Sequence, residues 1–201
     1  AAVPIPIDTA QFDALDAEIR SVLPAEKVIT PDEIRGTHAT LEEAIKTDGW
    51  PTLRKARGRV LFTLDNSGKR DAYIAGHPSL AGRVLFTNAE PGDPDAAFVE
   101  RNDSIGSHDE IQQLVAAGYV VRSRADSDTS EARANNTQGR DAAISSGAQW
   151  VSTDYPVPDP QVGTDYQVVI PTGMPGRCNP INAPADCTSL DIENPAHLES
   201  K

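Results

Sequence analysis

The chain has 201 residues, a formal net charge of −12 and a pI near 4.6. That balance argues against a nucleic-acid binder, which needs a basic footprint, and against a polybasic membrane anchor. The length suffices for a real core in one domain or one and a half, and no apolar run approaches the roughly 20 residues that span a bilayer.

The opening Ala1-Ala2-Val3-Pro4-Ile5-Pro6 lacks the basic start and continuous apolar stretch of a signal peptide. A start without methionine reads as a processed or excised chain. A helix is predicted from about Thr9 to Leu23, with Phe12, Leu15, Ile19 and Leu23 on one stripe and Pro24 ending it. Thr30-Pro31-Asp32-Glu33 reads as a cap followed by proline at the first helical position. Thr40-Leu41-Glu42-Glu43 fits a capping box on a short helix closed by Gly49.

Gly58-Arg59-Val60-Leu61-Phe62-Thr63 then recurs letter for letter as Gly82-Arg83-Val84-Leu85-Phe86-Thr87. Each copy reads as a strand buried on both faces, with a helical stretch around 70–75 between them. The first copy runs into Asp65 and Asn66, the second into Asn88 and Glu90. In parallel α/β sheets ligands bind where the carboxyl ends of strands open into loops, so the two copies are expected to be equivalent spokes of one site.

Ser107-His108-Asp109-Glu110 is a further capping box, opening a helix that packs Ile111, Leu114 and Val115 and stops at Gly118. A third strand follows at Tyr119–Arg124, a helix at about 138–146, and a fourth strand at Gln149–Ser152 that breaks into Thr153-Asp154-Tyr155-Pro156. Strands alternating with helices in this rhythm mean right-handed crossovers and a parallel sheet. The fold class is therefore α/β, the C-terminal half of a TIM-type (β/α)8 barrel over residues 1–156, with a small open sheet as the alternative. No stretch in the first 58 residues reads as a further strand. Residues 157–201 read as an extended Pro/Asn-rich tail holding one strand, Tyr166 to Ile170. Cys178 and Cys187, nine apart with no His or Cys nearby, suit a disulfide-closed loop better than zinc, two free thiols being the alternative. A disulfide places the protein in a secreted or extracytoplasmic setting.

The strand ends collect Asp65, Asn66, Asn88, Glu90, Arg122, Arg124, Asp126, Asp154 and Tyr155 as candidate substrate-binding residues. Arg122 and Arg124 share a strand face by period two and suit phosphate oxygens, while Asp and Asn accept from sugar or inositol hydroxyls. Equally open is a structural network in which the arginines pair with Asp126, Asp128 or Asp154. His38, His77, His108 and His197 are scattered over loops and a helix start and form no catalytic set. The acids at 126–128 lack the glycine and spacing of an EF-hand, and no phosphate-loop, nucleophile-elbow or CxxC motif occurs. No metal site and no catalytic residue is assigned.

Four segments in order, 61–66 (Leu-Phe-Thr-Leu-Asp-Asn), 98–103 (Phe-Val-Glu-Arg-Asn-Asp), 121–126 (Val-Arg-Ser-Arg-Ala-Asp) and 149–156 (Gln-Trp-Val-Ser-Thr-Asp-Tyr-Pro), together with the tail from Arg177-Cys178-Asn179-Pro180 to Cys187, resemble the C-terminal half of bacterial calcium-dependent phosphatidylinositol-specific phospholipases C. The last strand also resembles the close of glycerophosphodiester phosphodiesterase barrels. The resemblance covers nearly the whole chain. It implies a phosphoinositide phosphodiesterase in which the inositol 2-hydroxyl attacks phosphorus, aided by two histidines and calcium. The early strands that carry those histidines and most metal ligands have no counterpart here. Arg122 and Arg124 carry over as phosphate or inositol contacts, and Asp65 and Asp154 as rim residues. The expected partners are a phosphodiester substrate, a transient membrane surface and the N-terminal half of the same barrel. A half-barrel alone leaves an unpaired edge and an apolar face, which predicts self-association. The alternatives are a non-catalytic sugar-phosphate binding module and a metal-dependent glycerophosphodiester phosphodiesterase.

Overall fold

The computed structural model describes residues 6–193 apart from 172, 174 and 175. The opening Ala1 to Ile5 and His197 lie outside the described residues. The chain divides into two units, Ala1–Val99 and Glu100–Lys201.

In the first unit, helix α1 (Thr9–Val22) starts on a full capping box. The Asp8 carboxylate accepts the Ala10 N–H at 3.0 Å, and the Gln11 side chain accepts the Asp8 N–H at 3.2 Å. The predicted apolar stripe needs correction. Phe12 and Asp16 are the buried residues of this helix, while Leu15 is 37% exposed. An acid replaces a leucine on the inner face because Tyr73 donates its hydroxyl to Asp16 at 2.8 Å and Arg83 reaches the same carboxylate at 3.2 Å. Burying a charge is tolerable only when it is paired in this way.

Strand β1 (Val28–Ile29) overturns the reading that the first 58 residues hold no strand. Two residues are too few to show periodicity, so only pairing reveals it. Helix α2 (Pro31–Arg35) begins as expected, with Thr30 accepting the Glu33 N–H and proline at the first position. Helix α3 (Leu41–Thr47) is capped by Thr40, which accepts the Glu43 N–H at 3.0 Å. The Glu43 carboxylate reaches back to the Ala39 N–H at 3.1 Å, one residue before the expected target. A short helix α4 (Leu53–Ala56) leads to β2 (Val60–Leu64), then α5 (Arg70–Ile74) and β3 (Leu85–Thr87). Strand order is β1-β2-β3, all parallel.

The repeat does not make equivalent strands. Phe62 pairs with Leu85, Thr63 with Phe86 and Leu64 with Thr87, a slip of one residue relative to the matching letters. A one-residue slip turns every side chain to the opposite face. Phe86 is thus fully buried beside Trp50, with ring centroids 5.2 Å apart, while Phe62 is only half-buried. The leading arginines diverge as well. Arg59 binds Glu33 and the Val28 carbonyl, whereas Arg83 turns inward to Asp13, Asp16 and the Tyr73 carbonyl.

Strand β4 (Phe98–Glu100), which the chain-order reading left out, bridges in parallel to Asn88 at its Phe98 end. In the second unit, helix α6 (His108–Ala116) buries Ile111, Leu114 and Val115 as predicted. Its expected capping box is absent, since the Ser107 side chain makes no cap hydrogen bond. Asp103 instead shapes the entry by accepting the Gly106 N–H at 2.8 Å. Strand β5 (Val120–Arg124) pairs in parallel with β6 (Trp150–Ser152), Arg122 opposite Trp150 and Arg124 opposite Ser152. Between them lie α7 (Ser130–Ala134) and α8 (Gln138–Ser145). Gly147 then turns with φ +81°, where a Cβ would stand 2.5 Å from Ile181, so glycine is required twice over.

The tail carries the Cys178–Cys187 disulfide, with Cα atoms 6.0 Å apart, and a final helix α9 (Ser189–Glu193). No strand forms at Tyr166–Ile170. Tyr166 is instead drawn into a small core with Tyr155 and Ala132, its ring edge-on to Tyr155 at 5.5 Å. The segment is tied instead by single backbone bonds, Val168 N–H to the Tyr155 carbonyl at 2.9 Å and Gly173 N–H to the Ile170 carbonyl at 2.7 Å. Both units are thus α/β with parallel strands. No helix among the described residues is long and apolar enough to cross a membrane.

Candidate functional site

The candidate residues of the first unit sit just past β2 and β3. Asn88 donates its side-chain N–H to the Asp65 carbonyl at 3.3 Å and its backbone N–H to the Leu64 carbonyl at 3.0 Å. Register brings Asp65 and Asn88 together, although the repeat aligns them at different positions. Asn66 is exposed at the start of a 3₁₀ turn, and Glu90 is exposed in a turn whose N–H donates to Asp93 at 3.2 Å. Below them, Asp95 is 3% exposed at its side chain and accepts from Arg70 and from Thr87 Oγ1 at 2.6 Å. Burial works against its charge, but those hydrogen bonds outweigh it and hold its pKa below the usual carboxylate value.

The candidate residues of the second unit surround a cavity of about 350 Å³ at the carboxyl ends of β5 and β6. Its lining includes Arg122, Arg124, Asp126 and Asp154 from the predicted set. Thr153, at the same predicted strand end, lines it too, and Ser127, Asp128 and Ser152 are added by the structure. Ser152 joins the lining because register sets it opposite Arg124, which nothing local in the sequence signals.

The two arginines differ. Arg122 is engaged by Glu100 and by Asn102 Oδ1 at 2.9 Å, and Asn102 in turn donates to Glu100 at 2.5 Å. Arg124 is half-buried, and no hydrogen bond or ion pair to its guanidinium is found among the described residues. A cation without a partner, at the mouth of a cavity opening from strand ends, is placed to take an oxyanion.

Asp126 and Tyr155 are both engaged by the protein itself. The Asp126 carboxylate accepts from Thr153 Oγ1 at 2.6 Å, from the Asp154 N–H at 2.9 Å and from the Tyr166 hydroxyl at 3.3 Å. It holds the β6 loop in place. Tyr155 is buried, with its hydroxyl directed to the Asp128 carbonyl at 3.4 Å, and does not line the cavity. Burial first, then Asp126, raises the pKa of Tyr166 and keeps its phenol a neutral donor. Asp128 and Asp154 remain as exposed carboxylates on the lining.

The described histidines are each tied locally. His38 lies 2.8 Å from Asp48, His77 is 2.7 Å from the Ala81 carbonyl, and His108 is 3.0 Å from Ser145 Oγ. The cavity lining contains no histidine.

A family model described as phosphoinositide phospholipase C, Ca2+-dependent, matches residues 1–180. The chain belongs to that family. Among solved structures it is similar to a Ca2+-dependent phosphatidylinositol-specific phospholipase C enzyme from Streptomyces antibioticus, with 23% identity and a TM-score of 0.51 over 73% of this chain. That likeness is one of fold, and the chain spans 58% of that structure's length. Comparison with curated proteins gives no significant match.

Calcium is the cofactor of this family, as the resemblance implied. Among the described residues no group of three or more His, Cys, Asp and Glu side chains is placed to hold a metal ion. Calcium takes six to eight oxygens, with carboxylates prominent among them.

Proposed function

We propose that this chain is the phosphate- and inositol-binding portion of a secreted phospholipase C acting on phosphatidylinositol. The observation that carries this is the unpartnered Arg124 guanidinium at the mouth of the β5–β6 cavity, in a chain of this family. Parallel strands alternating with helices support a half-barrel over 1–156 with the tail at 157–201. The tail disulfide supports an oxidising location.

In the proposed reaction the inositol 2-hydroxyl oxygen bonds to phosphorus while the bond to the diacylglycerol oxygen breaks. A base takes the hydroxyl proton and an acid returns one to the leaving oxygen, giving cyclic inositol phosphate and diacylglycerol. Arg124 holds a non-bridging phosphoryl oxygen and offsets its charge, with Arg122 shaping the wall beside it. Asp128 and Asp154 accept inositol hydroxyls. With no histidine on the cavity lining, the acid and base come from outside it. That same observation favours a second reading, a sugar-phosphate binding module without chemistry.

Phosphorus NMR of phosphatidylinositol vesicles incubated with the chain separates the two. We expect slow release of cyclic inositol phosphate that rises with added imidazole as an external proton carrier. Fast turnover without imidazole would place acid and base within the cavity after all. No product under any condition contradicts the phospholipase reading and leaves the binding module.

A further inference from the structure

His108, the first residue of α6, and Ser145, the last of α8, meet with 3.0 Å between His108 Nε2 and Ser145 Oγ. The other ring nitrogen, Nδ1, lies 3.3 Å from an Asp109 carboxylate oxygen. A carboxylate only accepts, so Nδ1 carries the proton of the neutral ring and Nε2 keeps its lone pair. The Ser145 hydroxyl finds its nearer acceptor there, the Ala142 carbonyl being 3.2 Å away. A hydroxyl that donates to an imidazole, itself oriented by an acid, has the arrangement of an activated nucleophile.

Ser145 also lines a second cavity, of about 440 Å³, formed by α8 and the tail. Its volume falls in the range of small-molecule pockets, about 300–1,000 Å³. It shares no lining residue with the β5–β6 cavity. Ile144, Val169 and Pro171 give it apolar walls. Arg140 is occupied, donating through Nε to Asp141 at 2.9 Å and through Nη1 to the Gln167 carbonyl at 3.1 Å. Arg177 donates to the carbonyl of Ile144, one residue before Ser145, and no carboxylate pairs with it among the described residues. Its guanidinium therefore stands beside the nucleophile, placed to offset negative charge developing on a carbonyl oxygen.

We infer that this chain carries an esterolytic site apart from the β5–β6 cavity, acting on neutral esters of short-chain carboxylic acids. Ser145 is the nucleophile, His108 the general base and Arg177 the oxyanion partner, with the acyl chain against Ile144, Val169 and Pro171. Ser145 Oγ bonds to the ester carbonyl carbon as its proton passes to His108 Nε2. The bond to the alcohol oxygen then breaks, that oxygen takes the proton from Nε2, and an acyl-serine remains. Water attacks the acyl carbon and gives a proton to Nε2, and Ser145 Oγ recovers it as the free acid leaves. Asp109 is a positioning residue, and with its side chain 92% exposed it contributes less than the other three.

The intact chain is treated with an alkyl fluorophosphonate, which transfers its phosphonyl group to an activated serine and releases fluoride, and the adduct is located by peptide mass spectrometry. Hydrolysis of p-nitrophenyl butyrate is followed in parallel. We expect one adduct, on Ser145, and saturable turnover, both abolished by Ser145→Ala. His108→Gln, which can still accept the Ser145 hydroxyl but is no base, should lower kcat by about a hundredfold or more. Arg177→Gln should lower kcat by about tenfold or more. Asp109→Asn should lower kcat by about two- to fivefold with KM unchanged, the scale of an exposed charge pair. Ser145→Ala and His108→Gln should melt like the parent. An adduct on another residue, turnover that survives Ser145→Ala, or neither adduct nor turnover overturns the inference. Activity lost only together with a lowered melting midpoint also overturns it, because the His108–Ser145 contact then serves helix packing. Each of these failures leaves the phospholipase reading intact, since its residues and its phosphorus assay are separate.

Discussion

Arg83 in the first unit and Arg124 in the second show two uses of one side chain. Arg83 is 2% exposed, donates to Asp13, Asp16 and the Tyr73 carbonyl, and lies with its guanidinium 4.5 Å from the centre of the Tyr73 ring. Arg124 lines an open cavity with no protein partner among the described residues. The first arginine's charge is spent on holding the start of β3 against α1. The second is left over by the fold, and a cation that folding does not use is the one a ligand can.

The sharpest way to break this contrast is to remove each arginine. Arg83→Ala leaves Asp16 buried without its cation, a loss of about 3–5 kcal/mol, and thermal melting should show a large fall in midpoint. Arg124→Ala should leave the midpoint within about the ±0.5 kcal/mol scale of surface changes. A similar fall in both would show that Arg124 supports the fold and is not reserved for ligand.

A smaller effect separates the two copies of the repeat. Phe86→Ala empties a fully buried site and should cost about 3–5 kcal/mol in denaturant unfolding. Phe62→Ala, at the matching letter but on a half-buried face, should cost clearly less. Equal losses would contradict the one-residue slip between β2 and β3.

These cases also mark what could be read from the sequence. The α/β order, the helices with N-terminal threonines, the parallel pairing and the disulfide follow from local patterns that survive in the fold. The repeat misled because strand identity is local while register depends on partners. Nothing in Gly58–Thr63 or Gly82–Thr87 reveals that Phe62 lies beside Leu85. Asp16 was missed because an acid on an apolar stripe looks like a solvated face until Tyr73 and Arg83 arrive from 57 and 67 residues away. At the cavity, residue types point to the carboxyl ends of β5 and β6 but not to roles. Arg122 and Arg124 look alike in sequence, and only Glu100 and Asn102, brought alongside by folding, tell them apart. Asp126 and Tyr155 likewise look like rim residues until Thr153 and Tyr166 claim the acid and burial claims the ring.

The most direct test of the contrast is NMR of the arginine Nε–H resonances as myo-inositol 1-phosphate is added to the intact chain, with assignment by substitution. The Arg124 signal should shift progressively and saturate, while the Arg83 signal stays where it is. Movement of Arg83, or a still Arg124 in the presence of bound ligand, would contradict the assignment of Arg124 as the ligand-binding cation.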